Sequence, residues 1–197
     1  MGTQPPYRES RIPKDAKKVF EGIIFDIYQW QQKLFDGSYA TFEMAHRADS
    51  AIVFPILPDG RILLIEDSQP NRETVITAPC GRVEAGETPD EAARRELKEE
   101  TGYQAETLTL FYTDAPATKT DAVVYVYIGK GCTKVSEVTL DPGERITPRT
   151  VTFDELIAFA TTGFEGQYYR GLPFRLRVYE ALSNPQKMEE LRKAFTP

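Results

Sequence analysis

Hydrophobic and polar positions follow two different periods along the chain, and the change between them predicts where strands give way to helices. Runs rich in β-branched and aromatic residues fill much of residues 19–129, which favours strands. The last third of the chain instead carries apolar residues at helical spacing between proline and capping signals. This element order predicts an α+β fold, with a mixed β-sheet flanked by helices.

The strand predictions begin with an N-terminal hairpin. Residues 19–33 and 38–47 are apolar-rich runs separated by Asp36-Gly37, so we expect one long antiparallel hairpin. A second hairpin is expected around Pro58-Asp59-Gly60, because these residues favour a tight reversal. Further strands are predicted at residues 75–78, 108–112 and 122–129.

Four helices are predicted, at residues 89–101, 153–161, 172–182 and 185–195. The first has the clearest boundaries. Thr88 is a suitable N-cap, Pro89 suits the first helical position, and Glu91 completes a capping box. Gly102 supplies the C-terminal stop.

This first helix is expected to be strongly amphipathic. Its spacing turns Ala92, Ala93 and Leu97 toward the core. The same spacing places Glu96, Glu99 and Glu100 together on one face, where like charges in adjacent turns oppose helix formation by a few tenths of a kcal/mol per pair. A hard divalent cation such as Mg²⁺ would relieve that repulsion, since it prefers carboxylate oxygens and water and keeps positions open for substrate phosphate.

Composition and charge exclude several classes of function. The net charge of −6 at pH 7 argues against nucleic acid as a partner, because such binding depends largely on Lys and Arg. No apolar run approaches the roughly 20 residues of a membrane span, and the first residues have no signal-peptide pattern. We therefore expect a cytoplasmic location and no membrane partner. Cys80 and Cys132, the only cysteines, indicate neither a disulfide framework nor a zinc site.

The acidic helix belongs to a longer pattern that begins before it. Residues 81–103 satisfy G-x5-E-x7-R-E-(apolar)-x-E-E-x-G-(apolar). By chance, the seven fixed positions would coincide on the order of once in 10⁸ starting points. The segment is the Nudix box, and the chain resembles a Nudix hydrolase. Only Tyr103, bulkier than the aliphatic residue commonly found last, departs from the pattern.

The resemblance implies a fold, a metal and roles for the residues of the box. It implies an α/β/α sandwich in which Mg²⁺ or Mn²⁺ assists the attack of water on a nucleoside diphosphate linked to another moiety. The implied metal ligands are Glu96, Glu99, Glu100 and the main-chain carbonyl of Cys80. Arg95 and Glu87 are expected to form a supporting ion pair, with Arg95 pointing away from the metal face.

The catalytic base is open at this point. Glu144, in a Gly-containing loop, resembles the loop glutamate that orients water in ADP-ribose pyrophosphatases. Glu99 is the alternative within the box, and Glu137 and Asp141 are less favoured. A surface turn position would also account for Glu144.

The chain before the box bears on the substrate and on assembly. About 80 residues precede the box, an arrangement similar to that of ADP-ribose and nucleoside-diphosphate-sugar pyrophosphatases. The resemblance implies a homodimer built by an N-terminal extension, residues 1–47, joined to a Nudix domain, residues 48–197. Arg47 and Arg72 match positions that contact substrate in that group, and Trp30 is a candidate for stacking on the nucleobase.

Two other classes of function are kept open. One is hydrolysis of a different nucleoside diphosphate compound, such as a GDP-sugar, NADH or a dinucleoside polyphosphate. The other is a Nudix module that senses a nucleotide without cleaving it. Because every acidic position of the box is present, hydrolysis of ADP-ribose or a related nucleoside diphosphate sugar is the preferred prediction.

Overall fold

A computed structural model describes residues 9–70, 73–115, 119–140, 143, 145–163 and 171–197. The strands are β1 Lys17–Glu21, β2 Asp26–Lys33, β3 Tyr39–His46, β4 Ser50–Pro55, β5 Ile62–Ser68, β6 Val75–Thr77, β7 Cys80–Arg82, β8 Tyr103–Gln104, β9 Thr107–Asp114, β10 Thr120–Asp121, β11 Val124–Lys130, β12 Thr133–Lys134 and β13 Arg145–Val151. The helices are α1 Pro89–Thr101, α2 Phe153–Thr161, α3 Leu172–Leu182 and α4 Pro185–Ala194.

A mixed four-stranded sheet, here called the central sheet, carries the core. Its strand order is β7-β4-β11-β9, with β4 and β11 parallel and the other pairs antiparallel. Helix α1 packs on one face through Ala92, Ala93 and Leu97, as predicted. A second sheet of order β13-β5-β6 lies with α2, α3 and α4 around the other apolar cluster. The predicted fold class, mixed sheets flanked by helices, is confirmed.

The second predicted hairpin is wrong in its pairing. The reversal at Pro58-Asp59-Gly60 is present, closed by bonds from Leu57 N to Arg61 O (2.8 Å) and from Gly60 N to Leu57 O (2.9 Å). Beyond the isolated bridge between Ile56 and Ile62, however, the two strands separate into different sheets. Both strands are largely buried, and each forms its ladder with other partners, as strands in the interior of a sheet do.

The N-terminal run also differs from the prediction. Residues 19–33 do not form one strand, because the chain turns between β1 and β2 at Gly22. A Cβ at Gly22 would lie 2.6 Å from the carbonyl oxygen of Phe25, so glycine permits this tight turn. The Lys18 to Asp26 ion pair (2.8 Å) then joins the two antiparallel strands.

The predicted pairing of β2 with β3 is confirmed. With β1 and β10 these strands form a third sheet, here called the N-terminal sheet, in the order β1-β2-β3-β10. The division of the chain at residue 47 stays a prediction. No helix in the described ranges has the length and apolar character needed to cross a membrane.

Helix α1 has the predicted caps. The Thr88 hydroxyl accepts from Glu91 N, and the Glu91 carboxylate accepts from Thr88 N, so the capping box is complete. Gly102 adopts φ 76°, and its N–H donates to Lys98 O. A Cβ at Gly102 would lie 2.2 Å from Ser136 O. These ends fix the length of α1 and therefore the positions of its carboxylates.

We predict that Thr88→Ala lowers the free energy of unfolding by about 1 kcal/mol, because it removes the acceptor for a helix N–H. Chemical denaturation of the purified protein measures the change. Thr88→Ser is the matched control and should stay within a few tenths of a kcal/mol of the parent. Equal stabilities for the Ala and Ser variants would contradict the capping role.

Candidate active site

The acidic face of α1 meets the end of the central sheet at Gly81. An ideal Cβ at Gly81 would lie 1.8 Å from Glu96 Oε1 and 2.0 Å from its carboxyl carbon. A side chain at position 81 would displace the Glu96 carboxylate, so glycine permits this close approach. Strand β7 is held in register by β4, with Gly81 opposite Ala51. The Glu96 carboxylate therefore lies directly over the strand backbone.

Glu100 forms the second link between helix and strand. Its side chain is buried, with the residue 7% exposed, and its Oε2 accepts from Cys80 N at 2.9 Å. Burial of a carboxylate costs free energy unless the group is hydrogen-bonded. The bond from Cys80 N offsets part of that cost. Glu100 thus faces strand β7 rather than open solvent.

Arg95 contacts more carboxylates of this site than the sequence predicted. Its Nε and Nη2 donate to the two carboxylate oxygens of Glu87 at 2.9 and 3.1 Å, so the predicted ion pair is present. Its Nη1 also donates to Glu96 Oε1 at 2.7 Å and to Glu99 Oε2 at 3.0 Å. The expectation that Arg95 points away from the acidic face is therefore wrong. The i,i+4 spacing of Arg95 and Glu99 was the sequence signal for this contact.

The same guanidinium also fixes the loop before the helix. Arg95 Nη2 donates to the carbonyl of Arg82 at 2.9 Å, which ties β7 to α1. The hydrogen bonds that Arg95 donates to Glu87 lower the pKa of that carboxyl. The same bonds, followed by those that Arg95 donates to Glu96 and Glu99, raise the pKa of Arg95. Both groups stay charged at neutral pH.

A pocket of about 370 Å³ opens between these elements. Its lining residues are Cys80, Gly81, Arg82, Glu84, Arg95, Glu96, Glu99, Glu100 and Thr139. We call it the acidic pocket, since four of the nine carry carboxylates. Glu84, outside the fixed positions of the box, is one of them. Thr139, which the sequence did not indicate, reaches the pocket because its N–H donates to Glu99 O at 2.8 Å.

The chemistry of these donors fits a hard divalent cation. The pocket offers carboxylate oxygens, which Mg²⁺ and Mn²⁺ prefer, and Gly81 leaves room beside Glu96. Within the described ranges, no three His, Cys, Asp or Glu side chains are already gathered closely enough to hold an ion. Arg95 Nη1 lies between Glu96 and Glu99, so binding an ion there would require these carboxylates to rearrange around it.

Cys80 contributes its backbone to the acidic pocket, while its thiol is kept neutral. Burial is the main cause that raises the pKa of this thiol to about 12, followed by the negative charges of Glu100 and Glu96. The thiol is therefore protonated at neutral pH. Since the thiolate is the reactive form of cysteine, this thiol is poorly suited to oxidation.

The predicted substrate residues do not all gather at the acidic pocket. Arg47 lies near the acidic pocket. Its Nη2 donates to Ser50 Oγ at 2.8 Å, and Ser50 is paired with Arg82, which lines the acidic pocket. Trp30 lies in the N-terminal sheet, packs near Phe42 with ring centroids 6.2 Å apart, and lines a different groove. The structure of this chain does not bring Trp30 to the acidic carboxylates.

Two predicted residues, Arg72 and Glu144, lie outside the described residues, as does the less favoured Asp141. Glu137 is described, and its carboxylate is 3.4 Å from Lys134 Nζ. It does not line the acidic pocket.

A family model for the NUDIX domain matches residues 46–172. The chain belongs to the Nudix family. This match covers more than half of the chain and includes the acidic pocket. The resemblance inferred from the box is confirmed.

The chain is also similar to individual Nudix-related proteins and to a solved structure. The chain is 29% identical over 154 residues to "ADP-ribose pyrophosphatase" of Bacillus subtilis (strain 168), covering 76% of this chain and 81% of that protein. It is 26% identical over 147 residues to "Methanol dehydrogenase activator" of Bacillus methanolicus, covering 73% and 80%. A solved structure titled "Crystal structure of ADP compounds hydrolase" superposes with a TM-score of 0.62 at 18% identity, covering 80% of this chain and 84% of that one. The last similarity concerns the fold alone.

We predict a pH signature for the Glu87 to Arg95 pair. Because the folded pKa of Glu87 lies below its ordinary value of 4.5, the pair stabilises the protein above that value and loses the effect as pH falls through the folded pKa. Glu87→Gln should lower the free energy of unfolding by about 1 kcal/mol at pH 7, a small value because solvent partly screens the pair.

Denaturation of both proteins between pH 7 and pH 3 measures this difference. The difference in the free energy of unfolding between the parent and Glu87→Gln should become smaller below about pH 4.5, the ordinary pKa of the carboxyl. The same difference at pH 7 and at pH 3 would show that the ion pair does not stabilise the protein.

Proposed function

We propose that this Nudix protein hydrolyses the pyrophosphate bond of ADP-ribose, or of a related nucleoside diphosphate sugar, with the help of a divalent cation. The observation that carries the proposal is the acidic pocket, which Glu96, Glu99 and Glu100 line together. The similarity to the Bacillus subtilis protein over three-quarters of the chain favours ADP-ribose among the nucleoside diphosphate compounds. The products would be AMP and a sugar phosphate.

The proposed cation is Mg²⁺ or Mn²⁺, held by the carboxylates of Glu96, Glu99 and Glu100 and by the carbonyl of Cys80. Such an ion, once bound, neutralises phosphate charge and lowers the pKa of a water molecule. Arg95, which donates to Glu96 and Glu99, would keep both side chains close to the ion as they rearrange around it. Glu87 in turn orients Arg95, which is the part usually taken by groups that support ligands from behind.

The proton of the attacking water needs an acceptor. We assign it to Glu144, with Glu99 as the alternative. The Glu99 side chain is 43% exposed, so its carboxylate is open to solvent as well as to the acidic pocket. A general base must lie within hydrogen-bond reach of the proton that it removes, and Glu99 meets the acidic pocket directly.

Substrate recognition is proposed for two arginines, Arg47 and Arg72. Arg47 is held by Ser50 Oγ and by Ala48 O, which orders the guanidinium before substrate arrives. A planar guanidinium suits diphosphate oxygens because it donates two parallel hydrogen bonds. Arg72 is proposed for the same phosphate group.

The N-terminal sheet supports a homodimer. Phe20, Ile23, Ile24 and Phe25 are exposed at the turn between β1 and β2, and Ile23 is 96% exposed. Contiguous exposed apolar residues mark interaction sites. We propose that a second copy of the chain covers this turn.

The proposed activity is tested by incubating the protein with ADP-ribose, ADP-glucose, GDP-mannose, NADH and diadenosine polyphosphates, each with Mg²⁺ or Mn²⁺, and separating the products. We predict the highest kcat/KM for ADP-ribose, with AMP and ribose 5-phosphate released and no turnover in EDTA. A preference for another member of the panel would move the assignment to that compound. No turnover of any member would favour a sensing module.

Glu100→Gln tests the acidic pocket itself. The amide oxygen can still accept from Cys80 N, so the fold should be kept, while the loss of charge should lower kcat/KM by about a hundredfold or more. Glu189→Gln, which changes an exposed carboxylate on α4, is the matched control and should retain activity. Full activity in Glu100→Gln would contradict the proposed mechanism.

The homodimer is tested by light scattering after size-exclusion chromatography. We predict a mass of about twice the 22.3 kDa of the chain, and a monomer for Ile24→Asp, because a charge would be buried at the interface. Leu182→Asp changes an exposed leucine on α3 and should leave the dimer intact. A parent protein that is monomeric at micromolar concentration would exclude this assembly.

A further inference from the structure

A second groove adjoins the acidic pocket along α1 and has the opposite charge. Its volume is about 710 Å³, within the range of small-molecule sites. It shares Arg95, Glu99 and Thr139 with the acidic pocket. Arg94 and Lys98 add two further cations, and Glu99 is the only acidic residue among the described residues that line it. We call it the basic groove.

Two of the cations of the basic groove, Arg94 and Lys98, are not paired with an acidic side chain among the described residues. Arg94 and Lys98 stand four residues apart on α1, where like charges oppose helix formation. Neither side chain has an ion pair within the described ranges. A cation near the C-terminus of a helix is favourable, which accounts for Lys98. It does not account for Arg94 one turn earlier.

The positions of these groups are fixed by the backbone. Arg94 Nη1 donates to Ala105 O at 3.2 Å, which holds the guanidinium against the helix end. Thr139 N donates to Glu99 O at 2.8 Å and Ser136 N donates to Gly102 O at 3.1 Å. These bonds attach residues 136–139 to the last turns of α1. The opposite wall of the basic groove is therefore ordered by main-chain contacts.

The neutral residues of the basic groove are also hydrogen-bond donors. Ser136 and Thr139 bring hydroxyl groups, and Gln104 brings an amide from β8, where it is paired with Thr133. A phosphate group accepts several hydrogen bonds at once and gains further from charged donors. Two cations, two hydroxyls and one amide around one space form a suitable set for a phosphate dianion.

We propose that the basic groove binds a phosphate monoester. The proposal rests on the proposed function only for the source of the ligand, since that reaction would release two phosphate monoesters beside the basic groove. The carboxylates of the acidic pocket repel such an anion, whereas Arg94 and Lys98 attract it. The shared wall at Arg95 and Glu99 places the ligand next to the site of hydrolysis, where it would act as a retained product or as an inhibitor.

Calorimetry on the full chain in EDTA tests the proposal, because binding is then measured without any turnover. The probes are AMP, ribose 5-phosphate and inorganic phosphate, titrated separately. We expect saturable binding of at least one, weakened about twofold to fivefold by Arg94→Gln or by Lys98→Gln, as for exposed charge pairs, and weakened further in the double variant. Binding should also fall as salt concentration rises.

Lys33→Gln is the matched control, since it removes one positive charge from an exposed position at the end of β2. It should bind the probes as the parent does. Circular dichroism of each variant shows whether the fold is kept. The proposal is overturned if no probe binds, or if Lys33→Gln weakens binding as much as Arg94→Gln and Lys98→Gln do.

The probes also locate the source of the ligand and separate this proposal from the proposed function. Equal binding of all three would mean that phosphate alone is recognised, and tighter binding of AMP or ribose 5-phosphate would identify the preferred product. Binding by a protein that hydrolyses no member of the substrate panel would uphold the basic groove and refute the function. Hydrolysis of the substrate without binding of any probe would uphold the proposed function and refute the basic groove.

Discussion

The repulsion among three carboxylates on one helical face is the constraint on which the site depends. Glu96, Glu99 and Glu100 lie within five residues of α1, and such an arrangement disfavours the helix unless positive charge lies near. Arg95 supplies that charge through contacts of 2.7 and 3.0 Å to two of them. The third, Glu100, is held by the backbone of Cys80. The acidic face is therefore maintained by specific contacts rather than by solvent alone.

The rest of the fold serves to hold these contacts in place. The capping box at Thr88 and the left-handed Gly102 set where α1 begins and ends. Burial of Ala92, Ala93 and Leu97 against the central sheet sets its rotation. Gly81 then allows the carboxylate of Glu96 to lie on the strand backbone. Changing the helix ends or the rotation would shift every carboxylate together, because all three are on one rigid element.

Local signals were enough to predict the helices and the box, whereas contacts between distant parts of the chain were not. Caps and prolines mark helix ends directly in the sequence, so α1 through α4 begin where they were predicted to begin. The split of β4 and β5 into different sheets depends on ladders with β11 and β13 far along the chain. The bond from Thr139 N to Glu99 O likewise joins residues 40 positions apart, and no local pattern indicates it.

The most direct test of the account is the binding of Mn²⁺, followed by electron paramagnetic resonance, to the parent protein and to Gly81→Ala. The account predicts that the parent binds the ion and that Mg²⁺ displaces it. A Cβ at position 81 would displace the Glu96 carboxylate, so Gly81→Ala should bind Mn²⁺ at least about tenfold more weakly, in the range seen when groups that position metal ligands are lost. Equal binding by the two proteins, or none by the parent, would contradict the claim that this acidic face holds a divalent ion.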